Sequence, residues 1–247
     1  MRSNRILAAL SERNRDALKR GCVEVQLRFG ETISVAGRSM PHVYFPLNGF
    51  VSQLAEVSEG GRLEVALVGS EGMLGASVVL GMHIQPHHAI VQGAGNALRM
   101  RTEEFARHCG AGSELGRQLG KYVFVQLQQL ALTAVCTRFH VVEARLARWL
   151  LTTRDRAHAD RFYLTHEYLA MMLGVRRVGV TQAAGALQAR GLLAYSRGNV
   201  EILSAAGLKD ASCSCYRRGN EIYERVLGKT TIRKRDQSTD LSMAAAR

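Results

Sequence analysis

The sequence predicts an α+β protein, with strands in its first hundred or so residues and helices after them. Three observations predict it. Short period-two apolar runs between glycine corners occupy residues 22–100, the period turns helical near Thr102, and two short strand-like runs follow the last strong helix pattern. With 247 residues and 47% apolar content, the chain can form one large domain or two modest ones. No run approaches the length of a membrane span. The first twenty residues are charged throughout and lack the apolar core of a secretion signal. A cytoplasmic protein with no membrane partner is expected.

The N-terminus reads as an amphipathic helix, with Ile6, Leu7, Leu10, Ala17 and Leu18 along one broad face. "CVEVQLRF" alternates, placing Val23, Val25, Leu27 and Phe29 on one side and Glu24, Gln26 and Arg28 on the other. "VYFPLNGFVSQL" breaks at Pro46 and Asn48-Gly49 into two strands around a turn. "GGRLEVALVG" supplies one more strand and "HAIVQGAGNALRM" two. Many short strands with glycine corners predict a β-roll or jelly roll over residues 1–112.

From Thr102, read as an N-cap, "TEEFARHC" forms a short helix. A long helix spans 113–137, and Leu119, Val123, Gln126, Leu130 and Thr133 recur along it at intervals of three and four. That heptad-like stripe favours a partner helix, hence a dimer interface. The competing reading is a helix lying on its own β-domain. The next helix, "HVVEARLARWLLTTRDRA", carries Val142, Leu146, Trp149 and Leu150 on one side and arginines on the other. His140 and Glu143 read as a surface pair.

Five scattered cysteines, an odd number, fit a reduced compartment rather than a disulfide framework. Cys213-x-Cys215 is a weak metal signal, because zinc sites usually use a two-residue spacer and need two further ligands. No metal and no cofactor are predicted. Residues 211–247 form a C-terminal extension, and its polar end beyond Leu227 is expected to be disordered.

The net charge of +12 is unevenly spread. Lys and Arg against Asp and Glu number 14 to 11 through Thr137, 10 to 5 over 138–208, and 9 to 5 thereafter. A basic half joined to a nearly neutral one points to a polyanion partner.

Within "HEYLAMMLGVRRVGVTQAAGAL", Thr165 reads as an N-cap and Ala170 supplies the small residue that two crossing helices need. Gly174 adopts the left-handed turn at little cost, and Val180 faces back toward the first helix. This is helix-turn-helix spacing over residues 138–210. Arg176, Arg177, Val178, Thr181 and Gln182 then lie at the N-terminal end of the second helix, with Thr165 and His166 opening the first. Arginine can donate twice to guanine, and glutamine can pair with adenine. "GLLAYSRGNVEIL" adds a hairpin wing with Arg197 at its tip.

These residues resemble the winged helix of the Crp/Fnr family of bacterial transcription regulators. The order of parts agrees over residues 6–210, and "NGFV" and "GSEGMLG" are the best marks in the roll. The resemblance implies a β-roll sensor domain, a long dimerisation helix and a C-terminal winged helix-turn-helix domain. It also implies a homodimer on a palindromic stretch of double-stranded DNA, with RNA polymerase a partner if the protein activates. Two departures follow from it. The family's arginine–glutamate–arginine pattern on the recognition helix becomes Arg177, Val178 and Gln182, so the operator should differ. In the places that hold cyclic nucleotide in relatives stand Gly75, Ala76 and Ser77, and then His87 and His88. Without an arginine for the phosphate, cyclic AMP should not bind in the familiar way. Gly72, Gly75, Ala76, Ser77, His87 and His88 remain a candidate pocket for an effector of unknown identity.

No nucleophile with its base, phosphate loop or metal-hydrolase spacing is present, so no catalytic residue is predicted. The alternatives are a regulatory ligand-binding protein and a nonspecific nucleic-acid binder.

Overall fold

The computed structural model describes residues 4–110 and 112–228. Two short helices open the chain, α1 (Arg5–Ala8) and α2 (Glu12–Arg20). The single N-terminal helix expected from the sequence is thus broken between Ala9 and Ser11. Its apolar residues are nevertheless buried: Ile6, Leu7, Leu10 and Leu18 pack against the β-domain. The side chain of Asn4 caps α1, and its amide ties the chain to Pro46 and Gly72 carbonyls.

Seven strands follow: β1 (Val23–Leu27), β2 (Thr32–Ser34), β3 (His42–Pro46), β4 (Phe50–Glu56), β5 (Arg62–Val68), β6 (His88–Gly93) and β7 (Gly95–Arg101). They form two antiparallel sheets, ordered β1-β7-β3 and β2-β6-β4-β5. Residues from both sheets, among them Leu27, Val51, Val91 and Ala97, fill the space between them. β3 and β4 therefore do not pair. The Pro46 to Gly49 corner carries the chain from one sheet to the other, with Gly49 in the left-handed region. Val23 and Phe29 are exposed, because β1 lies at a sheet edge and ends at Leu27.

Helix α3 (Thr102–His108) starts one residue earlier than expected. Arg101 is its N-cap, while the Thr102 hydroxyl donates to the Met40 carbonyl at 2.6 Å. The long helix α4 (Glu114–Phe139) has Ser113 as a side-chain cap and extends about 39 Å at 1.5 Å per residue. His140 and Val141 are both extended, and this break starts α5 (Val142–Ala157) in a new direction.

The C-terminal domain comprises α5, β8 (Arg161–Tyr163), α6 (His166–Leu173), α7 (Arg177–Ala189), β9 (Leu193–Ser196) and β10 (Asn199–Ile202). The wing is a three-stranded sheet ordered β8-β10-β9, one strand more than the hairpin expected. Leu146, Trp149 and Leu150 join Leu169, Val180 and Leu187 in one core. The arginines of α5 do not all face solvent: Arg145 and Arg156 are drawn inward.

Helix α8 (Ala205–Ala211) packs onto the core of the C-terminal domain, and α9 (Cys215–Leu227) lies in the extension. α9 returns to pack along α4, where Gln129 Nε2 donates to the Gly219 carbonyl at 3.0 Å. The disordered tail expected beyond Leu227 falls almost wholly outside the described residues. Among the described residues, no helix is long and apolar enough to cross a membrane.

The two domains touch through β5. Leu63 packs against Gly174, and the Glu64 carboxylate accepts from Trp149 Nε1 at 2.8 Å and from the Ser52 hydroxyl at 2.5 Å. Burial pushes the Glu64 carboxyl up to about 7, against the downward pull of those two hydrogen bonds. Arg156 reaches Glu71 at 2.8 Å and lies over the ring of Tyr223, joining α5, the β-domain and α9.

Candidate nucleic-acid interface

The geometry of α6 and α7 follows from a few residues. The Thr165 hydroxyl accepts from the Tyr168 amide at 3.1 Å and fixes where α6 begins. Gly174, at φ 60°, ends α6, and the extended Arg176 starts α7. Ala170 and Val180 are both buried where the helices cross. Arg145 of α5 donates to the Leu173 carbonyl, placing a buried cation at the C-terminal, partly negative end of α6.

Helix α7 is divided lengthwise. Val180, Ala183, Ala184 and Leu187 are buried, whereas Arg177, Val178, Thr181, Gln182 and Gly185 are exposed. The exposed set recurs over two turns on one face, and Val178 is 60% exposed. Val178 thus presents an apolar side chain beside the exposed Arg177.

The surrounding contacts hold that face in place. Thr181 Oγ1 stands 2.9 Å from His166 Nδ1 and donates to the Arg177 carbonyl at 3.1 Å. His166 stacks on Tyr195, with centroids 4.3 Å apart, and the Tyr195 hydroxyl donates to the Leu164 carbonyl at 2.7 Å. Burial, and then the Arg177 charge, hold the His166 imidazole below its ordinary range. Arg197 sits at the wing tip with φ 47°, exposed, and the following Gly198 faces the Tyr163 ring. Arg176 and Arg177 stand exposed at the N-terminal end of a 13-residue helix, a favourable place for phosphates.

The candidate effector residues are less uniform. Gly72, Gly75 and Ala76 are buried in closed packing. Gly72 lies under Tyr122, and a β-carbon there would overlap the tyrosine hydroxyl; Gly75 faces Val43. Ser77 is partly open and accepts from Gln85 Nε2 at 3.3 Å. His87 is half-buried, and burial lowers its pKa. His88 Nε2 is 2.9 Å from the Glu56 carboxylate.

On α4, Leu119 is fully buried in the chain's own core, and Val123 packs against the same cluster. Gln126 donates to the Tyr122 hydroxyl and Thr133 accepts from Arg148. Leu119 thus follows the competing sequence reading, a helix lying on its own β-domain. The apolar face left open is rotated from the expected stripe. It runs through Phe124, Leu127, Ala131 and Val135, and Leu127 is 58% exposed.

A double-layered β-domain joined by a long helix to a winged helix-turn-helix is an architecture that this chain has in common with Crp/Fnr-type transcription regulators. Residues 144–211 match the Crp-like helix-turn-helix domain family. Solved structures share the wider architecture. FixK2 from Bradyrhizobium japonicum is 17% identical, with 78% of this chain and 98% of that chain covered and a TM-score of 0.66. A Crp/Fnr-family transcriptional regulator from Thermus thermophilus is 22% identical, with 77% and 98% covered and a TM-score of 0.64. The c-di-GMP-responsive global regulator CLP of Xanthomonas campestris is 16% identical, with 78% and 100% covered and a TM-score of 0.65. No curated protein matches by sequence. Residues 144–211 thus belong to the Crp-like helix-turn-helix domain family, and the chain as a whole shares the fold of Crp/Fnr-family regulators.

The two helices and the hairpin with Arg197 at its tip lie where the sequence placed them. The sequence did not reveal β8, whose three residues are too few to show a period, or the inward Arg145, because periodicity places charge outside by default.

Proposed function

We propose that the chain acts in the cytoplasm as a homodimer that binds a two-fold-symmetric operator in double-stranded DNA. Its effector would be something other than cyclic AMP held in the familiar way, or it would have none. The observation that carries the reading is the exposed face of α7, where Arg177, Val178, Thr181 and Gln182 stand clear of a buried opposite face. Arg176 and Arg197 flank it for phosphates, and Thr165 and His166 support it from α6. The open stripe of Phe124, Leu127, Ala131 and Val135 supports pairing of two α4 helices. A pair of recognition helices would then meet half-sites about 34 Å apart.

In the β-domain, Tyr122 over Gly72 and the Glu56–His88 pair support a pocket unlike one built for a cyclic phosphate. The candidate effector residues with open surface are Ser77, His87 and His88. If the protein activates, RNA polymerase would be its further partner. Binding-site selection from random duplexes tests the reading. A palindromic consensus whose affinity exceeds that of scrambled DNA at moderate salt is expected. Binding that falls steeply with salt and selects nothing would instead mark a nonspecific binder.

A further inference from the structure

Sequence reading found no partner for Cys213-x-Cys215, because the missing ligands lie more than seventy residues upstream. The fold brings them together. Cys136 lies in the last turn of α4 and His140 is the cap that ends it, its amide donating to the Cys136 carbonyl at 3.2 Å. Cys213 precedes α9 and Cys215 is its first residue. One ligand atom from each of the four residues lies within 4.8 Å of every other. Cys136 Sγ is 3.5 Å from Cys213 Sγ, and Cys215 Sγ is 3.7 Å from His140 Nδ1. All three thiols are buried, and His140 is partly so.

The distances select among chemistries. A disulfide would need sulfurs about 2.05 Å apart. Four ligands around a single zinc ion, with Zn–S near 2.3 Å, stand about 3.8 Å from one another, close to the separations observed. An iron–sulfur cluster spreads its thiolates over two or more irons and would hold them further apart. Three sulfurs and one imidazole form a closed, four-coordinate set with no position left for water. Leu132, Ala144 and Ile222 pack around the cysteines, and Arg148 supplies positive charge beside a site that would carry net charge −1.

We propose that Cys136, His140, Cys213 and Cys215 hold one tetrahedral divalent ion of the zinc class. The ion would fasten the hinge between the long helix and the DNA-binding domain to the C-terminal extension. His140 is the residue at which α4 gives way to α5, and α9 runs back along α4. Metal binding would therefore add to the stability of this junction.

The test is metal analysis of the full chain purified under reducing conditions, followed by exchange with Co2+. About one zinc per chain is expected, and the cobalt form should show thiolate charge-transfer absorption with intense tetrahedral visible bands. Cys136→Ser with Cys213→Ser should abolish both signals. Cys22→Ser and Cys109→Ser, outside the cluster, should leave them intact. His140→Cys should retain the ion and strengthen the charge-transfer band. If the double variant does not fold, the metal count and cobalt spectrum of the unaltered protein still decide the matter. A reduced chain without stoichiometric metal overturns the proposal. So does iron accompanied by acid-labile sulfide, or a Cys136–Cys213 disulfide in place of metal.

Discussion

At the scale of single residues, the proposed reading surface turns on Arg177 and Val178, adjacent exposed side chains with opposite chemistry. A bidentate arginine contact to guanine contributes about 1–3 kcal/mol of discrimination, whereas valine can offer only apolar contact. Arg177→Ala is expected to weaken binding to the selected operator by about ten- to a hundredfold, with less effect on scrambled duplex. Val178→Glu should instead change the preferred base pair at one position in each half-site, because a carboxylate accepts from cytosine. Repeating the selection with each variant checks both; unchanged preferences would remove α7 from base recognition. Thr165, Ala170, Gly174 and Val180 were legible because turn chemistry and crossing sterics demand particular residue types at fixed offsets. Arg145 was not, since its partner is a main-chain carbonyl 28 residues away that carries no sequence signature.

At the scale of elements, α4 shows why a period can be read correctly and its direction missed. Intervals of three and four describe both the buried row containing Leu119 and the open row of Phe124, Leu127, Ala131 and Val135. Sequence alone does not say which row meets the β-domain. Packing decides it through Tyr122, Leu119 and Val125, all fully or almost fully buried. The two rows predict different outcomes on mutation. Leu127→Asp is expected to yield a folded monomer in sedimentation experiments, because the side chain is largely exposed in the single chain. Leu119→Ala should destabilise the fold by about 2–5 kcal/mol, whatever the oligomeric state. A dimer that survives Leu127→Asp would rule out pairing through this face. The same limit explains α9, which is legible as a helix only once its packing on α4 and the cysteine cluster gives it a reason to form.

At the scale of the whole molecule, strand-rich and helical halves were evident from the change of period near Thr102, but their contact was not. Glu64 belongs to an alternating strand, and nothing local shows that its carboxyl is buried against Trp149. Its folded pKa of about 7 lies above the ordinary 4.5, so the folded state holds this proton where the unfolded chain would release it. The stability tied to it is therefore fully present below about pH 4.5 and is lost as pH rises through about 7. Glu64→Gln keeps the shape without the charge and should flatten thermal stability over that window; an unaltered pH profile would show that the group does not titrate there. Coupling between the halves would act through such contacts and end in DNA recognition. The most direct measurement of that recognition is selection of binding sites from random duplexes by the full chain. The expected result is an inverted repeat with half-sites about one helical turn apart, bound by two chains. Recovery of no consensus, or of an unrepeated site bound by one chain, would contradict the account.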